Sequence, residues 1–280
     1  MENTLSAPVW DIRLEGICLG YGSTVVLSDI NALLPAGRIS VILGGSGCGK
    51  STLLRHIAGL SRPMAGRALI GGRDLFALPS KEFRRLRRRM GMLFQDGALL
   101  GALTLAQNTA LPLVEHTRLS PRAIQAAALR CLALVGLQDF GEYFPAQLSG
   151  GMRKRAGLAR ALITEPRILL CDEPTSGLDP VNAARMDQLL LDTKAQHPGM
   201  SLIVVSHDLA SLARIADNIL VLHDGGTVFQ GGYADLCATE DAYLQNFLRR
   251  QSPEDASGRE DGVGLPDPDV RAALHEWLDR

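Results

Sequence analysis

No apolar run in this sequence approaches the roughly 20 residues that a membrane-spanning helix needs. "ISVILGG", "RILLCDE" and "SLIVVSH" all stop far short of it. The opening "MENTLSAPVW" lacks the basic-then-apolar order of a secretory leader. These absences predict a chain that stays in the cytosol and does not cross a bilayer itself. Net charge is missing too. The formal value is -1, so no global basic field draws the chain to nucleic acid, and no nucleic-acid partner is expected. The cysteines (Cys18, Cys48, Cys131, Cys171 and Cys237) form no CxxC pair, which argues against disulfides and a zinc site and for small buried or half-buried thiols. There is no internal repeat.

What is present is ample core material: 280 residues, 46% of them hydrophobic. From Val9 to about Ile70, short apolar runs alternate with turn residues, the pattern of strands. Continuous apolar runs recur around Ile39–Leu43, Ile168–Cys171, Leu202–Val205 and Ile219–Leu222, separated by helix-length segments. Runs apolar on both faces and spaced by helices predict a mainly parallel sheet covered on both sides. Between about Gly97 and Ala159 the pattern turns helical. "SPRAIQAAALRCLALVGL" is apolar at helical spacing, with Ser120 as N-cap and Pro121 in the first turn, so a helical lobe inserted into the sheet domain is expected. "KEFRRLRRRM" carries six basic residues; it reads either as a solvated helix face or as a contact with acidic lipid or a partner.

Three stretches carry chemistry. In "ILGGSGCGKST", Gly44, four residues, then Gly49, Lys50 and Ser51 fit the G-x4-G-K-[ST] phosphate loop between a strand and a helix. Backbone N–H groups of Gly44, Gly45, Ser46, Gly47, Cys48, Gly49 and on to Thr52 can close around phosphates. Lys50 adds charge there, and the Ser51 hydroxyl can ligate Mg2+. Cys48 lies inside this loop, so an oxidant reaching it would block nucleotide. "RILLCDEP" ends a buried strand in Asp172, placed to hold the Mg2+ shell, and Glu173, placed to polarise the attacking water. "VVSHD" puts His207 after another strand, where it is either structural or a γ-phosphate contact. A fourth stretch raises a question. In "QLSGGMRKRAGLAR", Ser149, Gly150 and Gly151 would leave bare N–H groups at a helix N-terminus, a second phosphate cradle for a ligand that already has one.

Together, Gly44–Ser51, Gln95, "LSGGM", Ile168–Glu173, "SGLD" and His207 resemble, in order, the ATP-binding subunit of ABC transporters, and the resemblance covers roughly Val9 to Leu248. It implies an α/β fold: a phosphate-loop ATPase core with an antiparallel β lobe and an inserted helical lobe. ATP and Mg2+ are the implied cofactors. Residue by residue, it implies that Tyr21 stacks on adenine, that Gln95 contacts Mg2+ and water and relays to the membrane partner, and that Asp179 is the acid of the loop after the metal site. It also favours the γ-phosphate role for His207. The second cradle is answered as well: in this family the signature completes the phosphate loop of the other subunit. Two chains then sandwich two ATP, with integral membrane permease subunits as further partners at the cytoplasmic side of the inner membrane.

Within the family, Met152 stands fifth in the signature, where most importers carry Gln. "SGGMRKRAGLARAL" and "MLFQDGALLGALTLAQNTALPLVEHTRLS" are similar to the ATPases of Mla-type, MCE-linked phospholipid transport. An MCE-domain lipid-binding protein and a small cytosolic accessory subunit are the partners this implies. Two alternatives stand beside it: an importer ATPase for amino acids or another small solute, and a soluble non-transport ABC ATPase. Leu99, Leu100 and Leu103, after Gln95, are expected at the surface that docks the permease. Residues 1–250 are expected to form the ATPase domain, with its helical lobe at about 97–159. Residues 251–280 are expected to be a flexible tail ending in a short amphipathic helix, with Val270, Leu274, Trp277 and Leu278 on one stripe.

Overall fold

The computed structural model describes residues 10–208 and 216–250, so the expected tail helix lies outside the described residues. The chain divides into two compact units, one reaching to Leu236 and one from Cys237 on.

The first unit is built on two sheets. β1 (Ile12–Tyr21) and β2 (Thr24–Leu34) form a hairpin, and β4 (Ala65–Ile70) and β5 (Arg73–Asp74) extend it into an antiparallel sheet ordered β2-β1-β4-β5. Alternation along β1 buries Ile12, Leu14, Ile17 and Leu19 on one face. The second sheet is ordered β10-β9-β3-β8-β7-β6, from β3 (Ile39–Gly44), β6 (Met90–Leu93), β7 (Ile168–Asp172), β8 (Ser201–Val205), β9 (Asn218–His223) and β10 (Gly226–Gly231). Its neighbours run parallel from β9 to β6, and β10 adds one antiparallel edge. β3, β7 and β8 are buried at every position, as strands covered on both faces must be. The sheets share a core: Leu53, Leu54 and Ile57 of α1 (Lys50–Ile57) pack with Ile17 and Leu27 from one sheet and Ile42 and Val205 from the other.

The four apolar runs found in the sequence are β3, β7, β8 and β9. Two members of this sheet, β6 and β10, are not among them. "MGML" follows directly on the basic helix α2 (Ser80–Arg87), of which only Leu86 is buried, so α2 presents a solvated basic face. β10 alternates between half-buried and exposed positions and lacks a continuous apolar run.

The helical lobe follows β6. α3 (Leu105–His116) starts at a capping box: Thr104 accepts from the Gln107 N–H, and the Gln107 side chain accepts from the Thr104 N–H. α4 (Pro121–Leu134) is capped by Ser120, as its sequence predicts, and α5 (Gly150–Leu162) by Ser149. Ala110 and Leu113 of α3, Ala128 of α4 and Ile163 form a small core of the lobe's own. α6 (Pro180–Gln196) connects β7 to β8, and α7 (Tyr233–Cys237) lies at the boundary between the units. In the second unit, Asp241 caps α8 (Ala242–Arg250) by accepting from the Leu244 N–H at 2.9 Å.

Candidate functional site

Strand order explains why distant motifs converge. β3, β8, β7 and β6 are parallel neighbours, so their carboxyl ends lie along one edge of the sheet, the edge where ligands bind in such folds. The register sets the levels. Leu93 pairs with Cys171, which brings Gln95, two residues on, to the level of Glu173. Asp172 pairs with Val205, so His207 emerges beside Glu173. Val205 also pairs with Ile42 of β3, just before the glycine loop.

That loop has the shape of a phosphate cradle. Gly47 and Gly49 have φ of 77° and 97°, left-handed values that side chains resist, and a Cβ on Gly49 would stand 2.8 Å from Leu27. Open space adjoins Gly45 and Gly47 where a Cβ would sit, so the exposed run Gly45, Ser46 and Gly47 can close on a ligand through backbone alone. α1 begins at Lys50, which turns its N-terminal N–H groups and positive dipole end towards the loop. The Lys50 ammonium is buried and donates to Gly44 O at 2.9 Å and Gly45 O at 2.7 Å. It therefore sits in the mouth of the loop, able to exchange these carbonyls for phosphate oxygens. Cys48 Sγ is 4.0 Å from Lys50 Nζ. Alkylation of Cys48 by N-ethylmaleimide is expected to abolish ATP binding. Saturating ATP should slow the reaction, and Cys48→Ser should be insensitive. ATP binding that survives stoichiometric labelling of Cys48 would contradict this reading of the loop.

For Mg2+ the chain offers hard oxygen donors. Ser51 Oγ donates to Asp172 Oδ1 at 2.7 Å, joining the first turn of α1 to the buried end of β7. Gln95, exposed on the loop after β6, is the third candidate. Among the described residues, no cluster of three or more His, Cys, Asp or Glu could hold a metal by itself. One carboxylate, one hydroxyl and one amide suit Mg2+, which keeps several waters and takes the rest of its shell from phosphates. Thr52 Oγ1 lies 3.2 Å from the hydroxyl of Tyr21, whose ring is exposed beside the loop and free to stack on a base.

Glu173 has unusual backbone geometry, with φ of 46°, left-handed for a residue with a side chain. Such strain persists only where the surroundings over-determine it, and it gathers at functional sites. The Glu173 N–H donates to Val205 O at 3.0 Å, and its carboxylate lies 3.4 Å from His207 Nδ1. Asp179 serves as N-cap of α6, accepting from the N–H groups of Val181 and Asn182 and from Asn182 Nδ2. Those bonds, the Asn182 side chain first, hold its carboxyl below the usual range.

The signature residues lie beside the Asp179 turn, where a Cβ on Gly151 would stand 3.6 Å from Leu178 and 3.9 Å from Asn182, and they are not bonded to the phosphate loop. Ser149 Oγ accepts from the Met152 N–H, and Ser149 and Gly150 are exposed. Among the described residues, no hydrogen bond joins Ser149, Gly150 or Gly151 to the loop from Gly44 to Thr52. The described chain thus presents two separate cradles.

Nothing local in the sequence marks the basic run behind the signature as functional. Its side chains clamp backbone carbonyls on other segments. Arg155 donates to Val135 O at 2.9 Å, and Arg160 donates to Gly97 O and Ala98 O, both at 2.8 Å. Lys154, buried, donates to Glu173 O at 3.0 Å, Ser176 O at 2.6 Å and Ser176 Oγ at 3.1 Å. Burial lowers its pKa, against the fields of Asp96, Glu173 and Asp172, which raise it. Three charge-assisted bonds at roughly 1.5–3 kcal/mol each can offset the several kcal/mol of desolvating one ammonium. α5 also passes close to the loop after Gln95: a Cβ on Gly157 would stand 2.9 Å from Gly97 Cα and O.

Of the three leucines expected at a docking surface, Leu100 is 48% exposed, whereas Leu99 and Leu103 are half-buried, so Leu100 alone presents an exposed apolar side chain. Buried Asn108 fixes its backbone: Oδ1 accepts from the Leu100 N–H at 2.7 Å, and Nδ2 donates to Leu100 O at 3.0 Å.

A family model described as "ABC transporter" matches residues 27–176. The probable ribonucleotide transport ATP-binding protein mkl of Mycobacterium tuberculosis is 41% identical over 252 residues, covering 89% of this chain and 70% of that protein. The methionine import ATP-binding protein MetN 2 of Pseudomonas entomophila is 38% identical over 251 residues, covering 87% of this chain and 75% of that protein. Among solved structures, the dimeric ATP-binding cassette MJ0796 in a post-hydrolysis state bound to ADP and Pi superposes with a TM-score of 0.72 at 32% identity, covering 79% of this chain and 98% of that one. cbiO1 from Clostridium perfringens, part of the ABC transporter complex cbiONQ, superposes with a TM-score of 0.74 at 28% identity, covering 86% of this chain and 96% of that one.

Proposed function

The chain belongs to the ABC transporter family as an ATP-binding, ATP-hydrolysing subunit that uses Mg2+, and on that footing we propose that it powers phospholipid transport between bacterial membranes. The observation that carries the ATPase reading is the 2.7 Å bond between Ser51 and Asp172, which sets the end of the phosphate loop against the buried carboxylate of β7.

In this reading Lys50 and the loop N–H groups hold the β- and γ-phosphates, and Tyr21 stacks on the adenine. Bound at Ser51, Asp172 and Gln95, Mg2+ would neutralise phosphate charge. Glu173 accepts the proton of the attacking water. The water oxygen bonds to the γ-phosphorus as the bond to the ADP oxygen breaks. His207 donates to the γ-phosphate. Ser149, Gly150 and Gly151 reach the ATP of a second chain, and a two-fold pairing repeats that contact. Asp179 caps the helix behind the loop they face. The chain then works as a homodimer on permease subunits, peripheral at the cytoplasmic side of the inner membrane. Among the described residues, no helix is long and apolar enough to cross a membrane.

The phospholipid substrate rests on the resemblance of the helical lobe to Mla-type ATPases, with Met152 in the signature and "EHT" after Leu113. An MCE-domain protein and a small accessory subunit belong to that reading. The second reading, import of a small solute, is favoured by the identity to the methionine importer. Purification of the complex through this chain, followed by reconstitution, separates them. The account expects co-purification of an integral membrane permease and ATP-dependent movement of labelled phospholipid. Methionine uptake without lipid movement would overturn it in favour of the importer, and recovery of RNA or DNA without a permease would overturn transport altogether. In the same preparation, Leu100→Asp is expected to weaken permease association and leave the ATPase activity of the isolated chain within about twofold, because a substitution of an exposed side chain usually moves stability by no more than ~0.5 kcal/mol.

A further inference from the structure

Lys154 lies on α5, in the same helix whose N-terminus carries Ser149, Gly150 and Gly151. Its ammonium has left that helix for the loop after β7. All three of its donor positions are occupied there, by Glu173 O, Ser176 O and Ser176 Oγ. The Glu173 carbonyl also accepts from the Ser176 N–H at 3.2 Å, so Lys154 caps a turn that is already closed.

What this does for Glu173 follows from its backbone. At φ 46° the residue is held in a conformation it would leave if released. Two bonds reach it from outside its own turn. Val205 O takes its N–H, and Lys154 takes its carbonyl. The first comes from the neighbouring strand, part of the sheet core. The second comes from the helical lobe. The direction in which the carboxylate leaves the backbone, towards His207 at 3.4 Å, is thus set jointly by the two parts of the fold.

We infer that Lys154 is a positioning residue for hydrolysis: from the signature helix it holds the Glu173–Ser176 loop through two backbone carbonyls, so that Glu173 is aimed at its water while that helix is seated. The inference rests on the ATPase reading above and adds a physical link between the two cradles of one chain. Whatever ligand seats the Ser149 end of α5 also fixes the helix from which Glu173 is held.

The test is steady-state hydrolysis by the full chain, with binding of a fluorescent ATP analogue as the check on folding. Lys154→Met keeps the length and burial of the stem and removes all three donors. Its kcat is expected to fall about 10–100-fold at unchanged KM and unchanged analogue binding, the cost of a catalytic group displaced by about an ångström. Should Lys154→Met fail to fold, Lys154→Arg takes its place. The charge stays, but a planar fork cannot occupy the point between the two carbonyls, and the same loss is expected. A folded Met or Arg variant with wild-type kcat, or a loss in KM alone, would overturn the inference. Wild-type turnover and its loss in Glu173→Gln, measured in the same assay, test the ATPase reading separately.

Discussion

In Glu173→Gln, ATP turnover is expected to fall about 10²–10⁴-fold, while ATP affinity stays close to that of wild type. The amide has the size of the carboxylate, so the loop, Lys50 and the Ser51–Asp172 pair are undisturbed. What it loses is the capacity to take up the proton of the attacking water. Glu173 is well placed for that step. Its neighbour Asp172 is committed to Ser51, whereas the Glu173 side chain retains 19% exposure at the mouth of the site, beside His207. Because hydrolysis would be blocked after ATP has bound, the variant should accumulate with ATP trapped between two chains. Steady-state phosphate release measures the first effect, and the bound nucleotide in a rapidly desalted sample measures the second. Near-normal turnover would remove Glu173 from the role.

Ser149→Arg is expected to lower turnover about 10²–10³-fold without weakening ATP binding to the single chain. Ser149 is exposed, and its role as N-cap of α5 is local, so the substitution leaves Gly44–Thr52 of its own chain untouched. Loss of the cap alone costs only about 1 kcal/mol of stability, too little to explain such an effect. An equal mixture with Lys50→Ala chains supplies a sharper readout. Half the random pairs are mixed, and each has one intact site, formed by Lys50 of one chain and Ser149 of the other. Activity should return to between about a quarter of wild type, if all pairs form, and about a half, if only mixed pairs do, although each variant alone is nearly inactive. A mixture no more active than its components would place the signature on its own chain's nucleotide.

How much of this was readable in the sequence depended on whether the interaction was local. The phosphate loop is a strand, a turn and a helix start within about a dozen residues, and Gly44 to Ser51 fall as their spacing requires. The cap Ser120 is legible for the same reason, accepting from a backbone N–H three residues on; Ser149 reads from sequence as the start of a helix with bare N–H groups, and the structure shows it capping one of them. β7 and β8 announced themselves as apolar runs ending in Asp172 and just before His207. Gln95 was assigned by resemblance, and what sets its level is the pairing of Leu93 with Cys171, which no local pattern records. β6 is not legible because four residues following three arginines carry no period. The basic residues of α5 were opaque for a deeper reason. Charges on a helix are expected to face water, yet the carbonyls that bury Lys154 and tether Arg160 lie 19 and 63 residues away in the chain. The left-handed backbone at Glu173 is likewise a product of the assembled fold, since its N–H partner, Val205, comes from another strand.

The central claim is that one ATP site needs two chains. The most direct test is the solution mass of Glu173→Gln with Mg2+ and ATP, with Mg2+ and ADP, and with no nucleotide, measured together with the nucleotide bound per chain. The account predicts a dimer holding two ATP under the first condition and monomer under the other two, with the dimer lost when Ser149→Arg is added. A chain that stays monomeric while saturated with ATP, or wild-type hydrolysis whose specific activity does not change with protein concentration, would contradict it.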